Sequence, residues 1–166
     1  QPVFSKNIKD VFNGDDLCVV SPDVGGVLRA RGMASRLDAD LAIIDKRRER
    51  AGVSEVMNII GEVKGRDCIL IDDIVDSAGT LCNASVALTN AGAKSVSAYV
   101  THGVLSGDAV ARATASPMSR LVVTDSIQAT DAVNQSDTVQ QLSIAPLMAE
   151  AIRRIEDDSS ISNLFD

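Results

Sequence analysis

Aromatic side chains are nearly absent: three Phe, one Tyr and no Trp in 166 residues. Stacking platforms for nucleobases and aromatic clefts for sugar rings need several such rings together. Phe4, Phe12, Phe165 and Tyr99 do not supply them. Positive charge is also scarce, since 16 Lys and Arg against 23 Asp and Glu leave a formal charge of −7. That sign excludes the usual nucleic-acid and anionic-membrane binders, but not a small anion held where cations are concentrated. No apolar run approaches the roughly 18–20 residues that span a bilayer, and no basic, apolar, small-residue leader opens the chain. The chain begins with Gln1, not Met, which raises the expectation of a piece of something longer. Cysteines number three, Cys18, Cys68 and Cys82, all within or beside apolar patterns. They fit buried thiols in a reducing cytoplasm better than a disulfide framework or a zinc site.

What remains is a globular balance, 45% hydrophobic and 23% charged. Its length suits one domain over residues 1–166. Short β-branched runs alternate with helical patterns, the signature of βαβ units and a mostly parallel α/β sheet flanked by helices. Strands are expected at Leu17–Val20, Leu41–Ile44, Cys68–Ile71, Ser95–Val100, Arg120–Thr124 and Val139–Leu142. Helices are expected at Val27–Leu37, Leu81–Ala91, Asp108–Thr114 and Pro146–Ile155, with Gly92 as a left-handed stop. The runs CVV, AII and CILI are continuous, as in strands covered on both faces. Periodicity leaves Val53–Val63 open between a β-excursion and a flap. Ser126–Thr138 reads as a polar, mobile stretch.

Three segments carry chemistry. In CILIDDIVDSAGT, Cys68–Thr80, a buried strand runs into Asp72, Asp73 and Asp76 before small residues open a helix. Ser77, Ala78, Gly79 and Thr80 can present consecutive N–H groups to a phosphate. The three acids suit sugar hydroxyls or a hydrated Mg²⁺. A capped turn with solvated acids is the plainer explanation. In VVSPDVGGVLRAR, Val19–Arg31, Gly25 and Gly26 let the backbone approach a diphosphate, and Asp23 offers a hard oxygen ligand. Alone, that motif equally describes a β-turn and a helix start. In IIDKRRERAG, Lys46, Arg47, Arg48 and Arg50 follow a buried strand. Four adjacent cations fit either a solvated patch or a site that neutralises a polyanion.

IDDIVDSAGT resembles the ribose-5-phosphate loop of type I phosphoribosyltransferase-fold proteins. Together with the other two motifs, it resembles the ribose-phosphate pyrophosphokinase family from about Val19 to Phe165. Ser77-Ala78-Gly79 stands where the family usually has Thr-Gly-Gly or Thr-Ala-Gly, and Ser keeps the hydroxyl. The resemblance implies the type I phosphoribosyltransferase-like fold and the C-terminal half of a two-domain enzyme. It also implies diphosphoryl transfer from ATP to D-ribose 5-phosphate with Mg²⁺, in a homo-oligomer that is commonly a hexamer. Lys46 and Arg48 then become the catalytic cations of a mobile loop. Arg48, Asp72, Asp73, Asp76, Ser77, Ala78, Gly79 and Thr80 become ribose-5-phosphate contacts, Gly25 and Gly26 diphosphate contacts, and Asp23 a metal ligand.

A nucleobase phosphoribosyltransferase shares the first loop but does not require SPDVGG with DKRR. A non-catalytic regulatory homologue would favour loss of Lys46, Arg48 or the acids, all present here. His102 follows a strand and could face the site, although no acid is spaced to orient it, which favours a structural role. The C-terminal serines resemble an allosteric anion segment of nucleotide-controlled family members. Docking of Leu164 and Phe165 explains the same tail. Arg153 and Arg154 close a helix, where cations suit the dipole.

Overall fold

A computed structural model describes residues 2–12, 16–47 and 56–164. In chain order its elements are α1 (Pro2–Val11), β1 (Leu17–Ser21), α2 (Val27–Leu37), β2 (Asp40–Arg47) and β3 (Val56–Ile60). There follow β4 (Asp67–Val75), α3 (Gly79–Asn90), β5 (Ser95–Gly103), α4 (Ala109–Ala115) and β6 (Arg120–Thr124). The last are α5 (Asp131–Asn134), β7 (Val139–Leu142), α6 (Ala145–Glu156) and a short 3-10 turn at Ser162–Leu164. The strands form one sheet in the order β3-β2-β1-β4-β5-β6-β7. All neighbours are parallel except β3, which runs antiparallel to β2.

Both faces of the sheet are covered, which explains the unbroken apolar runs. Val19, Ile69, Ile71, Tyr99 and Val122 point to one face, against Phe4 and Ile8 of α1 and Ala30, Met33 and Leu37 of α2. The residues between them, Cys18, Val20, Cys68, Leu70, Ala98 and Val100, point to the other. There they meet Leu81, Ala84 and Leu88 of α3 and Ala109 and Ala113 of α4. The three cysteines are free and buried, as expected of small apolar side chains in this setting. Among the described residues, no helix is long and apolar enough to cross a membrane.

Chain order makes β1 and β4 the switch point of the sheet. From β1 the chain winds outward to β2 on one side, and from β4 it winds to β5 on the other. The helix after each strand therefore packs on opposite faces, and a crevice opens at the carboxyl ends between them.

Several boundaries differ from expectation. β4 continues past Ile71 through Asp72–Val75, because pairing with β5 persists to Val75↔Gly103. β5 likewise extends to Gly103, so His102 lies within the ladder, opposite Ile74. Val53–Val63 resolves, for its described part, into the antiparallel strand β3. The polar stretch Ser126–Thr138 holds one helical turn, α5, capped by Thr130 Oγ1 accepting from the Val133 N–H. α1 was not anticipated, although Phe4 and Ile8 carry its i, i+4 stripe. It is anchored by Phe4 edge-on to Tyr99, ring centres 5.5 Å apart, and by the Tyr99 hydroxyl donating to Asn7 at 3.0 Å. Gly92 does stop α3. At φ 89 it bonds its N–H to Thr89 O, while Ala93 N–H bonds Leu88 O, both at 3.0 Å.

Leu70 is fully buried at the centre of the sheet. Leu70→Ala should lower the unfolding free energy by about 2–5 kcal/mol. In urea titration the midpoint should fall with little change in slope.

Candidate functional site

The loop after β1 is closed by its own side chains. Ser21 Oγ, buried, donates to the Asp23 carbonyl at 2.6 Å, and Asp23 Oδ1 accepts the Gly26 N–H at 2.9 Å. A Cβ at Gly26 would lie 2.9 Å from Ser21 Oγ, so only glycine fits there without displacing the hydroxyl. At Gly25 the same test gives 3.3 Å to Asp23 Oδ1. No side chain caps α2. The positive end of the helix is left open at the crevice.

The loop after β4 is shaped from outside. Val75 O accepts from the N–H groups of Val104 at 3.0 Å and Leu105 at 3.1 Å, and Asp76 O accepts from Ser106 N–H at 3.1 Å. The Arg112 guanidinium donates to Ser77 O. Ala78 has a left-handed backbone at φ 61 and begins α3 without a side-chain cap. Among the described residues, the Ser77 and Thr80 hydroxyls and the Asp76 carboxylate have no hydrogen-bond partner. Both loops face one cavity of about 210 Å³, lined by Asp23, Asp72 and the segment Ile74–Leu81. A larger hollow of about 480 Å³ lies between β3 and α3, lined by Met57, Asn83, Val86, Ala87 and Asn90. Among the described residues, its lining carries no charged group.

Arg29, on the first turn of α2, connects the two loops. Its guanidinium bonds Asp72 Oδ1 at 2.9 Å and Asp73 Oδ2 at 2.5 Å, and Asp72 Oδ1 also accepts the Asp73 N–H at 2.9 Å. Asp72, at 18% side-chain exposure, has its pKa raised by burial. Asp73, at 57% exposure, feels some desolvation, but Arg29 holds its carboxyl below the ordinary range. Sequence reasoning passed over Arg29. Its signal was a cation three residues past Gly26, on the helix turn facing the neighbouring strand.

The other anticipated residues fall in different places. Asp23, Gly25 and Gly26 form the first loop, and Asp72, Asp73, Asp76, Ser77, Ala78, Gly79 and Thr80 sit on or beside the second. Lys46 belongs to β2, opposite Met57, three residues past Ile43. Ile43 itself pairs with Ser21, so Lys46 lies at the same end of the sheet. Arg48, Arg50 and Phe165 lie outside the described residues. His102 is exposed, does not line the cavity, and has Nδ1 3.0 Å from Ser126 Oγ. Arg153 and Arg154 both pair with Glu150 and hold its carboxyl at about 2. Among the described residues, no group of three or more His, Cys, Asp or Glu is arranged to hold a metal ion.

Two consequences can be measured. Gly26→Ala should destabilise the fold by about 1–3 kcal/mol through the clash with Ser21, read as a lower denaturation midpoint. Asp72 has the opposite linkage to a salt-bridged acid. Its folded pKa is raised, so the folded state gains protons over the unfolded one, and stability falls as pH rises through that window. For Asp73 the folded pKa is lowered, so its contribution is present above the ordinary range and is lost on acidification. Asp72→Asn should therefore leave the thermal midpoint at pH 7 unchanged or higher and flatten its pH dependence. A clear loss of stability would show that the Arg29 pairing outweighs burial.

A protein-family model described as the phosphoribosyl synthetase-associated domain matches residues 48–166. Ribose-phosphate pyrophosphokinase of Granulibacter bethesdensis is 67% identical over 165 residues, covering 99% of this chain and 53% of that protein. The crystal structure of phosphoribosylpyrophosphate synthetase from Mycobacterium smegmatis matches with a TM-score of 0.85 at 35% identity. That match covers 95% of this chain and 50% of the other. A hypoxanthine phosphoribosyltransferase from Staphylococcus aureus, at 13% identity and TM-score 0.51, covers 85% of this chain and 69% of its own. It shares the fold alone, which is the type I phosphoribosyltransferase-like fold. The chain spans about half the length of the curated relatives it matches. With a site at the sheet's switch point, this fold and this match over most of its residues, the chain belongs to the phosphoribosyl synthetase-associated domain family.

Proposed function

We propose that residues 1–166 are the C-terminal half of a ribose-phosphate diphosphokinase, which makes 5-phosphoribosyl 1-diphosphate and AMP from ATP and D-ribose 5-phosphate. The observation that carries this reading is one cavity lined by Asp23 of the first loop and by the whole turn into the uncapped start of α3, with carboxylates at its rim. Open helix N-termini favour phosphates, and rim carboxylates favour hydroxyls.

In this reading Ser77, Ala78, Gly79 and Thr80 bind the 5-phosphate through N–H and hydroxyl groups, and the family resemblance assigns Arg48 to the same ligand. Asp72, Asp73 and Asp76 accept hydrogen bonds from the ribose hydroxyls, and Arg29 holds the first two in place. The loop of Gly25 and Gly26 takes the diphosphate. The ribose O1 attacks the β-phosphorus in line, the bond to the α-phosphate oxygen breaks, and the diphosphoryl group moves as one unit. Lys46 and Arg48 neutralise the charge that develops between the attacking and leaving oxygens. No covalent intermediate on the protein is required.

Mg²⁺ fits the donor set. Asp23, Asp72 and Asp76 line the same cavity, and this ion needs only one or two carboxylates beside substrate phosphates and waters. Asp23 would hold it there, where it would supply charge neutralisation for the phosphates. The homo-oligomer, a hexamer by family analogy, and the cytoplasmic setting belong to the same proposal. α6 fits it by exposing Met148, Ile152 and Ile155 along one face.

Calorimetric titration of ribose 5-phosphate into this chain should show binding that Asp76→Ala abolishes. No binding by the folded chain would mean the sugar phosphate is held elsewhere. The 166 residues alone should give no family-like turnover, because the other half of the relatives is needed to complete the site. In the full-length protein, Lys46→Ala should lower kcat by roughly 10²–10³ with a smaller effect on KM. An unchanged kcat would return Lys46 to a solvated basic patch.

A further inference from the structure

We infer that Arg112 is a positioning residue: by holding the Ser77 carbonyl, it keeps the 77–78 peptide turned so that the Ala78 N–H faces the phosphate cavity. This rests on the reading of the Ser77–Thr80 loop as the sugar-phosphate site.

Three successive carbonyls, those of Val75, Asp76 and Ser77, are all held by the connection between β5 and α4 and by α4 itself. In a trans peptide the N–H of the next residue points opposite to the carbonyl. The N–H groups of Asp76, Ser77 and Ala78 are thereby turned away from residues 104–112. The cavity is lined by Ile74–Leu81 and by none of residues 104–112, which in this inference puts it on that other side. Backbone N–H groups hold the first two carbonyls, and any side chains at those positions could leave that arrangement intact. The third is held by a side chain, which makes it a property of Arg112.

The conformation held in this way opposes local preference. Ala78 sits at φ 61, where an L-residue with a Cβ is disfavoured. Rotation of the 77–78 peptide would relieve it, as in exchange between type II and type I turns. It would also aim the Ser77 carbonyl at the bound anion. Leu105 repeats the pattern from the bracing side: its φ is 51, and two adjacent N–H groups, its own and that of Val104, reach Val75 O. Arg112 itself is exposed, and among the described residues its guanidinium makes no hydrogen bond but the one to Ser77. Core packing therefore does not account for its placement.

The test is calorimetric titration of ribose 5-phosphate, at two salt concentrations, into the wild-type chain, Arg112→Met, Arg112→Lys, Ala78→Gly and the Arg112→Met/Ala78→Gly pair. Arg112→Met should bind about five- to tenfold more weakly at an unchanged thermal midpoint, the scale of one charge-assisted hydrogen bond. Arg112→Lys, which keeps a donor, should recover most of that loss. Glycine tolerates the left-handed conformation without help. In the Ala78→Gly background, then, Arg112→Met should cost no more than about twofold, the non-additivity of two residues acting on one peptide. An equal loss in both backgrounds that disappears at high salt would overturn the inference in favour of simple charge attraction. Wild-type binding with no effect of Arg112→Met would overturn it and leave the reading of the loop standing. Absence of wild-type binding would remove both.

Discussion

The parallel pairing of β1 with β4 is the constraint on which the site depends. Leu17–Val20 and Asp67–Leu70 run side by side in register, although some fifty residues separate them along the chain. That pairing brings the Ser21–Gly26 loop next to the Asp72–Thr80 loop. It also sends α2 and α3 to opposite faces, so their open N-termini converge on one crevice. Buried apolar side chains on both faces of the two strands hold this arrangement together.

An acidic protein that holds an anion, as proposed for this one, needs local solutions, and two are visible. One is backbone: both helix starts lack a side-chain cap, and at α2 Asp23 takes only the Gly26 N–H, which leaves the N–H groups of the first turn free to face an anion. The other is Arg29, which spans from α2 to Asp72 and Asp73 and offsets two adjacent negative charges. Asp72 and Asp73 are pushed in opposite directions by burial and by Arg29. Neighbouring acids in one strand are thus given different protonation behaviour by their surroundings.

Much of the fold was legible in the sequence because its strands are covered on both faces. Continuous runs such as CVV and CILI announce that, and Gly92 marks the end of α3. The strand extensions were not legible. Whether Asp72–Val75 and Thr101–Gly103 stay extended depends on their pairing with each other, a contact between distant segments. α1 was missed because its ten residues bury only Phe4 and Ile8, a weak stripe unless Tyr99 is known to lie beneath it. His102 was left open by the sequence, and its place in the ladder puts it outside the cavity.

Short-range chemistry is what the sequence by itself determined. Glycines where the backbone must come close, acids followed by small residues at a helix start, and cations after a buried strand are all encoded within a dozen residues. Tertiary structure alone decided which of these share a cavity and what holds them. It brought Arg29 to Asp72 and Asp73, more than forty positions away, and Arg112 to the Ser77 carbonyl, thirty-five positions away. The physical reason is that a hydrogen bond of this kind is set by the relative placement of two helices and a strand. That placement is fixed by the packing of the whole sheet, and no local pattern carries it.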